Sequence, residues 1–215
     1  MSSNESFIDE VNEELRRDRL FAAFRRYGWI GGVLILFIVG GAAWNEWQKA
    51  RHRAASQAFG DALLAALSGE AEGRAAALAA VQASADQAPV LALLRAADAA
   101  AAGDAKGAAA ILAPVAADAE LPAVYRHLAL YRLALTEGAL EAGERAAALA
   151  ELTAPGAPFR TLGLELQALD LVAAGKRDEA LAMLGALAED AQATQALRQR
   201  VSQMIVALGG KPAAG

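Results

Sequence analysis

"VLALLRAADAAAAGDAKGAAAIL", from Val90 to Leu112, and "LGLELQALDLVAAGKRDEALAML", from Leu162 to Leu184, are two copies of one pattern. The second begins 72 residues after the first, so that Gly103 falls on Gly175, Ala108 on Ala180 and Leu112 on Leu184. Apolar residues recur three and four apart on either side of the glycine, which is the periodicity of two amphipathic helices. Glycine between them adopts the left-handed conformation that ends a helix and reverses the chain. A third pair, "YRHLALYRLALTEGALEAGERAAALAEL" from Tyr125 to Leu152, lies between the two with a longer turn, so the spacing is 36 taken twice.

A helix–turn–helix unit repeated at about 34 residues is the tetratricopeptide spacing. One hairpin cannot cover its own apolar face, so each buries it against the next. The pattern predicts pairs at about 46–87, 89–117, 122–153 and 158–189, closed by a final helix at about 191–208. Proline and glycine punctuate the series. Pro89 and Pro122 open helices, Asp104 caps one, and Pro114 falls near the end of another. Gly69, Gly73, Gly138 and Gly143 interrupt, Pro155 and Pro158 bracket a turn, and Gly209 and Gly210 end the last helix. The Trp and the Leu-Gly before Tyr that mark tetratricopeptide repeats are not in register, so a plain α-helical bundle is the alternative.

Composition agrees with an all-α chain. Of 215 residues 59 are alanine, the best helix former and a poor contributor of apolar area. The apolar fraction of 56% therefore overstates the core. A net charge of −5 gives no case for nucleic acid. The absence of cysteine excludes disulfides, thiol nucleophiles and thiolate metal sites.

Between Arg26 and Glu46 no charged residue occurs. The 19 residues 27–45 would span about 28 Å as a helix, close to the hydrocarbon thickness of a bilayer. Tyr27, Trp29, Trp44 and Trp47 stand where interfacial aromatics belong. A cleaved signal would be shorter, nearer the N-terminus and followed by small residues, whereas bulky Trp44 and Trp47 occupy that place. The expectation is a retained transmembrane helix. Arg16, Arg17, Arg19, Arg25 and Arg26 precede it and Lys49, Arg51 and Arg53 follow, which puts the N-terminus in the cytoplasm. Gly28 and Gly32 make one small-xxx-small pair, a possible close contact between two such helices. In residues 1–26, Phe7, Ile8, Val11 and Leu15 recur at helical spacing, as in an amphipathic juxtamembrane helix. Residues 46–215 then form a periplasmic repeat domain.

No motif for catalysis, metal, nucleotide or other cofactor is found. His52 lies between Arg51 and Arg53, and His127 follows Arg126 on an expected helix. Enzymatic activity and a small-molecule substrate are not indicated. What a helical array offers is a concave surface. Candidate partner-binding residues are Tyr125, Tyr131 and Arg132 on one helix, with Phe159 and Arg160 opening another, since aromatics and arginines supply hot spots.

"FIDEVNEELRRDRL", the Tyr-Gly of "RRYGW", one span, the exit "AAWNEW" and an alanine-rich repeat region follow one another in the chain. Together they resemble the tetratricopeptide-like ancillary subunit of the bacterial SecYEG translocon, most specifically over the first 50 residues. Tyr27 and Gly28 match that family's membrane-entry motif, and Trp44 and Trp47 its aromatic exit. The resemblance implies a single-pass inner-membrane protein that associates with Sec translocon subunits and links exported proteins to periplasmic chaperones, with no catalytic residues. The alternative is an accessory subunit of another inner-membrane complex, respiratory or envelope-assembling.

Overall fold

The computed structural model describes residues 3–211, with the side chains of residues 3–24, 27, 28 and 31 outside the description. Among the described residues the elements are α-helices: α1 (Ser3–Ser68), α2 (Ala71–Ala80), α3 (Ala88–Ala101), α4 (Ala105–Ala117), α5 (Ala123–Leu135), α6 (Ala142–Leu152), α7 (Arg160–Ala173), α8 (Arg177–Glu189) and α9 (Gln195–Ala207). The chain divides into two compact units, Met1–Gly60 and Asp61–Gly215.

In the first unit every described side chain from Arg25 to Ala58 is exposed. Large apolar groups are open to their surroundings on all sides of the helix, including Leu36 at 73% and Phe37 at 78%. Beyond its chain neighbours and its own helix backbone, nothing lies within 4 Å of the place a Cβ on Gly32 would occupy. Trp44 and Trp47 are 5.1 Å apart between ring centroids, and the Arg51 guanidinium lies 4.7 Å from the Trp47 ring. Among the described residues no helix is long and apolar enough to cross a membrane. The Tyr27 side chain and the surroundings of Gly28, expected at membrane entry, and the side chains of the expected amphipathic segment up to Phe24 lie outside the described residues.

The second unit is a run of helical hairpins, and its turns follow from named residues. Gly103, Gly175 and Gly209 have φ of 82°, 74° and 72°. Each is followed by a backbone N–H that reaches five residues back, Asp104 to Ala99, Lys176 to Leu171 and Gly210 to Ile205, which closes the helix end with a Schellman motif. Asp104 caps α4 through a 2.8 Å bond from the Gly107 N–H, and Pro89 sits in the first turn of α3. Gly73 and Gly143, expected as interruptions, lie inside the first turns of α2 and α6. Neither has positive φ, and helix-favouring alanines nearby carry the chain through them. Gly156, by contrast, takes φ of 82° in the turn before α7. The first buried side chains of the unit are Leu63 and Ala66 in the last two turns of α1.

The core comes in separate clusters. Ala96, Ala108, Leu112, Val115, Ala129 and Leu133 join α3, α4 and α5. Ala168, Leu184, Leu187, Leu197, Val201 and Ile205 join α7, α8 and α9. A smaller cluster of Ala134, Leu149, Leu152 and Leu166 fixes α6 between α5 and α7. There Gly163 lets α7 approach closely: a Cβ at that position would stand 3.0 Å from Leu152 Cβ and 3.0 Å from Thr153 Cγ2.

Two of the junctions between one hairpin and the next, α2 to α3 and α6 to α7, carry an ion pair. Arg74 on α2 pairs with Asp98 on α3 at 3.7 Å, and Arg145 on α6 grips Asp170 on α7 with bonds of 2.7 and 2.9 Å. In each pair the arginine is the fourth residue of its helix and the aspartate the eleventh. The corresponding positions of α4 and α5 hold Ala108 and Leu133, and those of α8 and α9 hold Ala180 and Ile205, all buried. At these two positions, charged and apolar pairs thus alternate along the chain with the 72-residue period. Arg145 also donates to the Ala134 carbonyl and so ties α5 into the same contact. Replacing Arg145 by Ala is expected to cost about 2 kcal/mol and Asp170 by Ala somewhat less, because only the former also strips a carbonyl of its donor. The double variant should lose about 1 kcal/mol less than the sum. Urea unfolding of the detergent-solubilised chain followed at 222 nm measures this cycle, and strict additivity would show that the two groups are not coupled.

Candidate functional site

α5 and α7 carry the residues singled out for partner binding, and the structure assigns them different environments. Tyr131 and Phe159 stack, with centroids 6.3 Å apart and planes 14° from parallel. Both rings pack on the Ala134, Leu149, Leu152 and Leu166 cluster, so they fill space between helices. Phe159 takes this position because it is the N-cap of α7, where the chain returns from the Gly156 turn. Arg160 follows it, pairs with Asp190 and donates to Gln192 Oε1 at 3.1 Å. Asp190 is held below the usual aspartate range by the Gln192 backbone N–H and by Arg160. Arg132 is exposed on α5, and Tyr125 is half-buried one turn into that helix. Tyr131 and Phe159 are therefore brought together, whereas Arg160 is tied to the turn between α8 and α9.

The strongest polar contact nearby involves a residue outside the candidate set. Glu165 is 6% exposed. Arg200 of α9 grips both its oxygens, Nε to Oε1 and Nη2 to Oε2, at 2.7 Å each. The bidentate geometry compensates the carboxylate for lost water, and the hydrogen bond to Glu165 holds the Arg200 guanidinium even more firmly protonated. Burial, then the charge of Glu165, push the Tyr131 hydroxyl above its ordinary pKa, opposed by Arg200 and Arg132. A signal existed in the sequence: in "LGLELQAL" Glu165 stands three residues from both Leu162 and Ala168, on the apolar side of the helix.

His127 is also buried, its Nε2 3.4 Å from Glu151 Oε1, an oxygen that Arg126 approaches at 3.3 Å. Among the described residues no group of three or more acidic, histidine or cysteine side chains could hold a metal ion. Glu165 with Arg200, Arg160 with Asp190 and Arg126 with Glu151 are thus engaged between elements. Glu165→Ala should leave Arg200 without its anchor and loosen α9. Hydrogen exchange of the amides of residues 195–207 is expected to accelerate by about tenfold while that of α3 and α4 is unchanged. Unchanged protection of α9 would show that the pair does not hold it.

A model of the tetratricopeptide repeat-like domain matches residues 24–209. No curated protein matches the chain, and no solved structure does. The match includes the apolar run, the three repeated hairpins and α9. Repeat domains of this kind are typically non-catalytic and serve as protein-interaction scaffolds. With hairpins stacked at a fixed period and matched over most of its length, the chain belongs to the tetratricopeptide repeat-like domain family.

Proposed function

We propose that this chain is a membrane-anchored protein-interaction scaffold associated with the Sec translocon, linking exported proteins to periplasmic chaperones. The observation that carries the anchor is the run from Trp29 to Val39, whose described large apolar side chains are all exposed, within a stretch free of charge from Arg26 to Glu46. Water would charge about 25 cal/mol for each Å² of that surface, whereas lipid removes the cost. The family match starts at residue 24 and so takes in this run with the hairpins. Residues 27–45 cross the inner membrane, the N-terminus lies in the cytoplasm, and the repeat unit works in the periplasm. The link to the translocon comes from the likeness of the N-terminal 50 residues to its ancillary subunit.

Crosslinking in native membranes followed by mass spectrometry is expected to recover Sec components, and recovery of respiratory or envelope-assembly subunits instead would transfer the chain to another complex. The chain should also stay with membranes through carbonate washing. Its lack of cysteine makes the orientation easy to read. Gln203→Cys, on the exposed side of α9, should react with a membrane-impermeant maleimide in intact spheroplasts. Labelling only after lysis would reverse the orientation.

A further inference from the structure

The turn between α5 and α6 borders a notch of about 360 Å³. Leu166 forms part of its lining, buried at 4% exposure. Leu135 and Leu169 stand beside it, 50% and 42% exposed, and Leu140 completes the apolar lining. Two large apolar side chains thus remain open to solvent around one concavity. The volume lies at the low end of the range for small-molecule sites and suits one or two aliphatic side chains better than a cofactor.

The charge around the notch selects among apolar occupants. Arg145 lines it, but its positive charge is neutralised by Asp170 and it also donates to the Ala134 carbonyl. Glu137 also lines it, exposed and without an ion-pair partner among the described residues. The last turn of α5 adds the negative end of a helix dipole. Arg132 belongs to that turn but does not line the notch. A mouth with one uncompensated negative charge over an apolar lining matches a segment in which an aliphatic side chain is followed or preceded by a cation.

We propose that this notch is the anchor pocket for an extended segment of a partner protein, with a leucine, isoleucine or methionine in the notch and an adjacent lysine or arginine against Glu137. The proposal rests on the repeat unit being a protein-binding surface, and it moves the hot spot from Tyr131 and Phe159, whose rings are engaged within the fold, to Leu135 and Leu169.

The test is selection of phage-displayed random heptapeptides on the full chain in detergent micelles. Enriched peptides should carry an aliphatic residue next to a basic one. Leu135→Gln with Leu169→Gln should lower capture of that pool by about tenfold, as expected for a hot spot, with the far-ultraviolet spectrum unchanged because both side chains are half exposed. Glu137→Lys should turn the preference toward aliphatic–acidic pairs. Peptides held equally well by the double leucine variant would overturn the notch and leave the scaffold intact. Enrichment without a basic neighbour would overturn the charge selection. No enrichment would remove the notch, while crosslinking in membranes judges the scaffold independently.

Discussion

A hairpin of two short helices has more apolar surface than it can cover by itself, and the repeat unit is organised around that deficit. Alanine makes the deficit sharper. Ala108, Ala129, Ala168 and Ala180 are fully buried but each removes little surface from water. Their contribution is to let helix axes come close, after which leucines such as Leu112, Leu152, Leu184 and Leu197 supply most of the burial. Gly163 carries this to its limit where α7 meets α6. A chain rich in alanine can therefore build a stable array only if its hairpins are stacked, since a lone hairpin of this composition would expose most of what it needs to bury.

Close packing of small residues leaves a second problem, which is register. Two alanine-lined helices can slide past one another at little cost, because alanine offers few distinct knobs. The ionic junctions answer this. A paired arginine and aspartate contribute modest net free energy, yet every slipped arrangement leaves a charge unpaired in a partly dry place. Arg145 with Asp170 reinforces the small cluster of Ala134, Leu149, Leu152 and Leu166 that joins α6 to α7, and Arg74 with Asp98 joins α2 to α3. At the equivalent positions within continuous clusters, Leu133 and Ile205 provide shape instead. Charge and bulk are two solutions to one geometric need, and they alternate along the chain.

Most of this architecture could be read from the sequence because its signals are local. A glycine at positive φ, a proline in a first turn and an aspartate before an alanine run each act within one turn of helix, and α3 to α9 fall where Gly103, Asp104, Pro89, Pro122, Gly175 and Gly209 put them. Gly73 and Gly143 misled because glycine is only permissive: where neighbours favour a helix and no reversal is required, it stays helical. The candidate site was less legible. Tyr131 and Phe159 were visible as aromatics, but the direction of a ring depends on which helix lies opposite. Glu165 and Arg200 are 35 residues apart, so their pairing appears only once α7 and α9 are packed. The notch was invisible for the same reason, since it is a property of a turn and three helices together.

The contrast between the buried and exposed leucines follows from the same stacking. α7 presents Leu166 to the α6 cluster, whereas Leu169, three residues on, is left with solvent beside it. On α6, Arg145 lines that space and extends toward Asp170 and the Ala134 carbonyl. The same clamp thus forms part of the wall of the notch between α5, α6 and α7. A preformed notch with an apolar lining beside a neutralised ion pair is the kind of feature an interaction domain can use without rearrangement, since the cost of shaping it is already met in folding.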